Sequence, residues 1–284
     1  MPLRSDHGHR PGAARRPPAR ARGEPGERNG RGTGGYGTLW LDASPPADLA
    51  FAEKLLDATT RLVVGTSVVN VWIADAETVA ASYHRIVARH PGRFVLGIGI
   101  GHREVHAEWA SPYDTLVSYL DRLALGGVPA ERVVLAALGP RMTRLARDRT
   151  AGTLPCMVTP EHTRWAREVL GAGRLVLPGH FALPEPDAGR ARAVARTAPP
   201  GQALQVTNYA SNLRRLGFTD ADLSGTGSDR LTDALVAHGG PADLARGLIA
   251  HLDAGADQVG VYPLGDDPVA TLRAAADAVL GTRG

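Results

Sequence analysis

Between Arg93 and His102 the chain reads RFVLGIGIGH: an apolar run that gives way to spaced glycines and ends on a histidine. Apolar side chains on consecutive positions leave no face for water. The run therefore reads as a strand buried on both sides, the mark of a parallel sheet. Gly97, Gly99 and Gly101 let another backbone or a flat ligand approach closely. An ionisable side chain directly after such a strand stands where parallel α/β folds keep their chemistry. One stretch thus asks for a sheet wrapped by helices, with His102 on its functional rim.

The remainder of the chain is consistent with that demand. Apolar or β-branched runs near 38, 62, 94, 132, 154, 175 and 258 read as seven strands, Leu62–Val71 being the longest. Amphipathic segments lie between them, among them Ala203–Gly217 and Ser228–His238, both read as helical. Strand and helix in alternation imply a parallel sheet with helices packed outside it. A (β/α)8 barrel takes eight strands at about 30 residues per unit, so one unit is missing from this count.

Composition says where it is missing. Residues 1–35 carry eight Arg and three acids with almost no large apolar side chains, so they cannot bury a face and are expected to be disordered. The remaining residues, 36–284, carry 24 basic and 26 acidic groups and form the expected folded domain. The sequence pI of about 9.3 therefore belongs to the tail, and the body has no electrostatic footprint for nucleic acid. No apolar run reaches the roughly 18 residues a membrane span requires, and no signal peptide is legible. The lone Cys156 excludes an intramolecular disulfide, fits a reducing cytoplasm, and reads as a core residue. Lys54 is the only lysine, and it falls in an expected helix, which argues against Schiff-base chemistry.

The local motifs exclude more than they identify. GIGIGH has G-x-G-x-G spacing, not the dinucleotide fingerprint. His102, Glu104 and His106 in HREVH lack the zincin order, with Arg103 where the glutamate belongs, and no metal site is expected. Neither a P-loop nor a G-x-S-x-G elbow occurs. The stretch Ala137–Arg141 (ALGPR) ends a strand and opens a helix, a geometry whose free N–H groups suit a phosphate. Thr159-Pro160-Glu161-His162 repeats the arrangement one strand later.

Taken together, GYGTLWL (35–41), GTSVVN (65–70), the 93–102 stretch, ALGPR (137–141), VTPEH (158–162), NYASNLRRLGF (208–218) and GADQ (255–258) resemble the luciferase-like monooxygenase superfamily. More narrowly, they are similar to its coenzyme F420-dependent oxidoreductases. The resemblance spans about 36–280 in the family's order. It implies a (β/α)8 TIM barrel that binds a deazaflavin, or FMN in some relatives, at the C-terminal end of its strands. The implied reaction is hydride transfer between the deazaflavin and a small organic substrate. A cis peptide is implied at Ser67-Val68, backing the cofactor ring, with Asn70 at the ring edge.

The same resemblance places Asp42 and His102 at the reacting face, His102 as the acid/base group. Gly99 and Gly101 would let the ring lie against the backbone, while Leu138, Gly139 and Arg141 would cradle the cofactor phosphate with help from Thr159. Glu161 stands where sugar-phosphate enzymes of the family have a lysine, which disfavours a sugar phosphate as substrate. The family's first strand and helix are not recognisable, and residues 1–34 occupy their place at the expected length, as an out-of-frame translation would. Other readings are an FMN-dependent monooxygenase and a non-catalytic, incomplete barrel. A small-molecule substrate and a homodimer are the implied partners, with no nucleic acid and no membrane.

Overall fold

A computed structural model of the chain describes residues 36–105 and 110–282. The expected tail over 1–35 and His106 lie outside the described residues. The elements run β1 (Thr38–Leu41), α1 (Ala50–Asp57), β2 (Val63–Thr66), β3 (Val69–Asn70), α2 (Ala76–Arg89), β4 (Phe94–Gly99), α3 (Pro112–Leu125), β5 (Val133–Leu135) and α4 (Pro140–Arg149). Next come β6 (Gly152–Thr153), α5 (Pro160–Leu170), β7 (Leu175–Val176), β8 (Gly179–Leu183), α6 (Ala188–Thr197), α7 (Pro199–Gln202), α8 (Thr207–Arg215), α9 (Asp220–Leu223) and α10 (Asp229–Leu235). The chain closes with β9 (Val236–His238), α11 (Pro241–Asp253), β10 (Gly260–Pro263) and α12 (Pro268–Gly281).

All strand pairings are parallel. One curled sheet runs β1-β2-β4-β5-β6-β7, with β3 also on β4; a second runs β10-β8-β9. β7 and β8 are separated only by Leu177 and Pro178, and Gly179 N donates to Pro155 O at 2.8 Å, so the chain itself joins the two sheets. The fold is an α/β barrel with a seam between β1 and β10. No backbone ladder crosses that seam among the described residues; side chains do. Gln258 Nε2 donates to Thr38 Oγ1 at 3.1 Å, and the Tyr36 hydroxyl donates to Leu272 O at 2.8 Å.

β4 shows why its sequence alternates. Phe94, Leu96 and Ile98 are fully buried on the outer face, in one core with Tyr83 and Ile86 of α2 and Leu116 and Leu123 of α3. Each such side chain contributes about 1.5–3 kcal/mol on burial. Gly97 and Gly99 fall on the opposite, inner face, where neighbours come too close for a Cβ. A Cβ on Gly97 would stand 1.9 Å from Thr66 O, and the two residues exchange hydrogen bonds: Gly97 N donates to Thr66 Oγ1 (2.8 Å), which donates to Gly97 O (2.7 Å).

Five expected elements differ. The strand near 175 is interrupted at Leu177 and Pro178 and forms both β7 and β8, and the helix expected over Ala203–Gly217 is α8 preceded by a separate 3-10 turn at Ala203–Gln205. The single strand over Leu62–Val71 is two strands, because the Ser67-Val68 peptide is cis and turns the chain between β2 and β3. The strand near 154 is only Gly152–Thr153; the following residues leave the ladder, with Met157 in the left-handed region at φ 57. Ser228–His238 is not one helix: its last three residues form β9, paired to β8 through Phe181↔Val236 and Leu183↔His238.

Candidate functional site

The C-terminal ends of the strands surround a cavity of about 800 Å³. Asp42 follows β1, Ser67 and Val68 join β2 to β3, and Gly99 to Glu104 lead out of β4. Ala136 to Pro140 follow β5, Leu154 to Met157 follow β6, Phe181 lies on β8, and Tyr262 on β10. The fourth side is α8, which contributes Thr207, Asn208, Tyr209, Ser211, Asn212 and Arg215. The walls are mainly apolar with polar groups at a few fixed points, the usual make-up of a small-molecule site.

Of the residues singled out in the sequence, His102, Asp42, Ser67, Val68, Gly99, Gly101, Leu138 and Gly139 line this cavity. Asn70, Arg141 and Thr159 do not. Asn70 is buried at the end of β3, where its Oδ1 accepts from Trp72 N at 3.0 Å and turns the chain. The Arg141 guanidinium lies over the Tyr113 ring, 3.7 Å from its centroid. Buried Thr159 has its hydroxyl engaged by the Glu161 carboxylate, which this contact holds below its ordinary pKa. The space over Gly99 also belongs first to protein: a Cβ there would lie 2.5 Å from Val68 Cγ2. Gly101, at φ 67, supplies the left-handed turn out of β4.

His102 is held from α8. Its Nδ1 donates to Asn208 Oδ1 at 3.2 Å, and its ring lies 5.1 Å from that of Tyr209. Glu104 makes a firmer tie. Its Oε1 accepts from Thr207 N (3.0 Å) and Thr207 Oγ1 (2.6 Å), capping α8, whose own N-cap, Val206, cannot. These bonds hold the Glu104 carboxyl down at about 2. The segment after β4 is thereby clasped to the first turn of α8.

At the opposite wall the Tyr262 hydroxyl lies 2.9 Å from Ser67 Oγ and also contacts the Cys156 thiol. Burial raises the Tyr262 and Tyr209 phenols above their ordinary range and pushes the Cys156 thiol up to about 12. All three remain protonated near neutrality, so Cys156 is a hydrogen-bonding group there and not a thiolate nucleophile.

Three buried histidines, none of them lining the cavity, are linked to residues that follow β5 and β6. The Val158 carbonyl accepts from His180, leaving His180 Nδ1 to accept from His251 Nε2–H at 3.1 Å. His251 Nδ1 then accepts from the Thr163 hydroxyl at 2.8 Å. His162 donates from Nε2 to Leu138 O at 3.1 Å and so pins the wall after β5; its buried Nδ1 has no partner. Desolvation brings His162 and His180 down to about 4 and His251 to about 3, so all three are neutral.

Cys156, Tyr262, Tyr209, Asn208, Asn212 and Arg215 were not marked as site residues from sequence. A signal existed for three of them: Asn208, Asn212 and Arg215 recur at i, i+4 and i+7 of α8, a polar stripe on one helix face. Nothing in the spacing of Cys156 or Tyr262 distinguishes them from core residues.

No protein-family model matches the chain, and no curated protein matches it. Solved structures do. An F420-dependent secondary alcohol dehydrogenase, in complex with an F420-acetone adduct, aligns over 87% of this chain and 91% of its own at 13% identity and a TM-score of 0.68. The EDTA monooxygenase of Chelativorans sp. BNC1 aligns over 89% and 84% at 15% identity and a TM-score of 0.67. The oxygenating constituent of 3,6-diketocamphane monooxygenase from Pseudomonas putida, in complex with FMN, aligns over 85% and 87% at 15% identity and a TM-score of 0.60. The chain thus shares the α/β-barrel fold of these structures.

Proposed function

We propose that this chain is an oxidoreductase of the luciferase-like class that binds coenzyme F420 in the cavity and serves hydride transfer to or from a small organic substrate. One observation carries the reading: residues on or after seven strands and on α8 converge on one cavity whose apolar walls and fixed polar points suit a flat heterocycle with a polar tail. FMN is the second reading, favoured by the likeness to an FMN complex of the same fold.

The residues present fit such a group. Val68, Ile100, Leu154 and Phe181 offer apolar surface for a ring. The Leu138–Gly139 turn opens α4, whose N-cap Gly139 has no capping side chain, so first-turn N–H groups are left for a phosphate. A bound deazaflavin supplies a carbon that accepts or donates hydride. The chain's own part is to exclude water, orient the reactants and move the proton.

Asn208 holds the His102 proton on Nδ1, which leaves the Nε2 lone pair to take a proton from a substrate hydroxyl. In the reverse direction the imidazolium returns it to a carbonyl oxygen. Asp42, exposed at the end of β1, adds negative charge on the same rim. Ser67 and Tyr262 give the opposite wall neutral hydrogen-bonding groups.

Difference-absorption titration of the full chain with F420 and, separately, FMN tests the reading. Saturable binding of F420 in preference to FMN is expected. Preference for FMN selects the monooxygenase reading, and binding of neither defeats both.

A further inference from the structure

We propose that Arg215, together with the Leu138–Gly139 turn, forms an anion subsite in the cavity wall that takes the phosphate of a molecule bound there. The proposal deepens the reading of the cavity as a cofactor site and names the cation of that site, which lies on α8 and not in the turn itself.

Arg215 reaches from the last turn of α8 to the wall after β5. Its Nη2 donates to Leu138 O at 2.9 Å and to Asn212 Oδ1 at 2.5 Å. Its guanidinium carbon stands 4.0 Å from the Trp165 ring centroid. Two hydrogen bonds and an aromatic face thus hold a long side chain that would otherwise rotate freely, so its ordering is met before a ligand arrives. Such ordering is the preparation a binding group needs.

The charge so held has no counter-ion among the described residues. Arg214, the preceding residue, pairs with Asp220 at 2.8 Å. No carboxylate lies within 4.0 Å of Arg215 among the described residues, and its Nε and Nη1 hydrogens meet no acceptor there. Its side chain stays exposed, so an incoming anion can reach it, and the partial burial it has disfavours its charged form.

A second, independent observation lies beside it. Asn212 is 4% exposed, lines the cavity, and has an Nδ2 without a hydrogen-bond partner. A buried unmet amide is costly, and its persistence asks for a ligand or water. The uncapped first turn of α4 adds N–H groups to the same wall, with no acidic residue to compete for them. The unfilled polar positions among these cavity-lining groups are all donors. Arg141, the basic residue within the turn, is occupied over Tyr113. A donor-only wall with a planar fork matches a phosphate, which presents several acceptor oxygens and full charge.

A cofactor and a substrate are the two sources of such a phosphate, and the experiment separates them. Thermal unfolding of wild type, Arg215→Gln and Arg215→Lys is measured in inorganic phosphate against chloride at equal ionic strength. In parallel, FMN and riboflavin are titrated as a pair differing only in the phosphate, and F420 is titrated alone. Phosphate is expected to raise the midpoint of wild type, partly that of the lysine variant, and not that of the glutamine variant.

If the phosphate is the cofactor's, Arg215→Gln weakens FMN about tenfold to a hundredfold and riboflavin less than about twofold. If FMN and riboflavin bind alike while the phosphate effect still depends on Arg215, the subsite stands and serves a substrate. If no cofactor binds wild type but that dependence remains, the cofactor reading fails and the subsite survives. Equal phosphate stabilisation of wild type and Arg215→Gln, or none in wild type, overturns the proposal. Circular dichroism of both variants confirms that the comparison is between folded chains.

Discussion

His102 donates from Nδ1 to the amide oxygen of Asn208 across 3.2 Å, so a residue of the β4 rim takes its tautomer from a helix 106 positions later. The proton on Nδ1 determines which nitrogen meets the reactants. Asn208→Ala is expected to lower kcat about tenfold with KM little changed, since orientation and tautomer are lost while binding is kept. Asn208→Asp keeps the acceptor and adds charge, which stabilises the imidazolium. Its activity is expected to recover in part, with the acidic limb of the pH–rate profile displaced to higher pH. A profile unchanged in both variants and in His102→Ala removes His102 from the mechanism.

The Glu104–Thr207 clasp predicts an acid transition confined to a definite window. Glu104 has its carboxyl depressed from 4.5 to about 2 by the Thr207 bonds. A depressed carboxylate contributes stability that is complete above the unfolded value and is lost as pH falls from about 4.5 through about 2. Hydrogen exchange of the α8 amides is therefore expected to accelerate over that range in wild type. In Glu104→Gln it should be faster already at neutral pH and change less on acidification.

The histidines behind the cavity act at higher pH and with the opposite charge logic. His162 and His180 fall from 6.5 to about 4, and His251 to about 3, because burial penalises the imidazolium. The unfolded chain binds more protons below pH 6.5, so stability falls as pH drops from about 6.5 towards 4 and 3 and levels off beneath. Three such groups together are worth several kcal/mol, on the order of one small domain's margin. Urea midpoints measured from pH 7 to pH 4 should fall accordingly, and fall less steeply in His251→Gln.

Gly97→Ala is expected to destabilise the barrel by about 3 kcal/mol, at the upper end of overpacking penalties. Its Cβ would stand 1.9 Å from Thr66 O, a backbone atom that cannot move without breaking the β2–β4 ladder. Gly37→Ala, where nothing lies within 4 Å of the new Cβ and no helix is capped, should leave the unfolding midpoint nearly unchanged and serves as the control.

Legibility followed the length and periodicity of each signal. The six-residue β4 was readable because both faces are buried and every position carries information. β9 was not, because Val236–His238 continues the apolar pattern of α10 without a breaker, and three residues carry no period. Leu62–Val71 looked continuous because a β-branched run carries no trace of the turn at Ser67-Val68. The reading of Cys156 as a core residue followed its type, and its place on a cavity wall followed from β6 ending after two residues.

By itself the sequence determined a parallel sheet wrapped by helices and the strand ends on which His102 and the Leu138–Gly139 turn stand, since periodicity and strand-end chemistry are local properties, while the barrel and the place of Asp42 followed only from the family resemblance. Tertiary structure decided the rest. It seated Asn208, Asn212 and Arg215 against that rim, turned Arg141 onto Tyr113, engaged Thr159 with Glu161 and left the seam between β1 and β10 bridged by side chains. The reason is physical: these contacts join residues up to 236 positions apart. The helix that closes one side of the cavity is oriented by what it packs against, which no local pattern records.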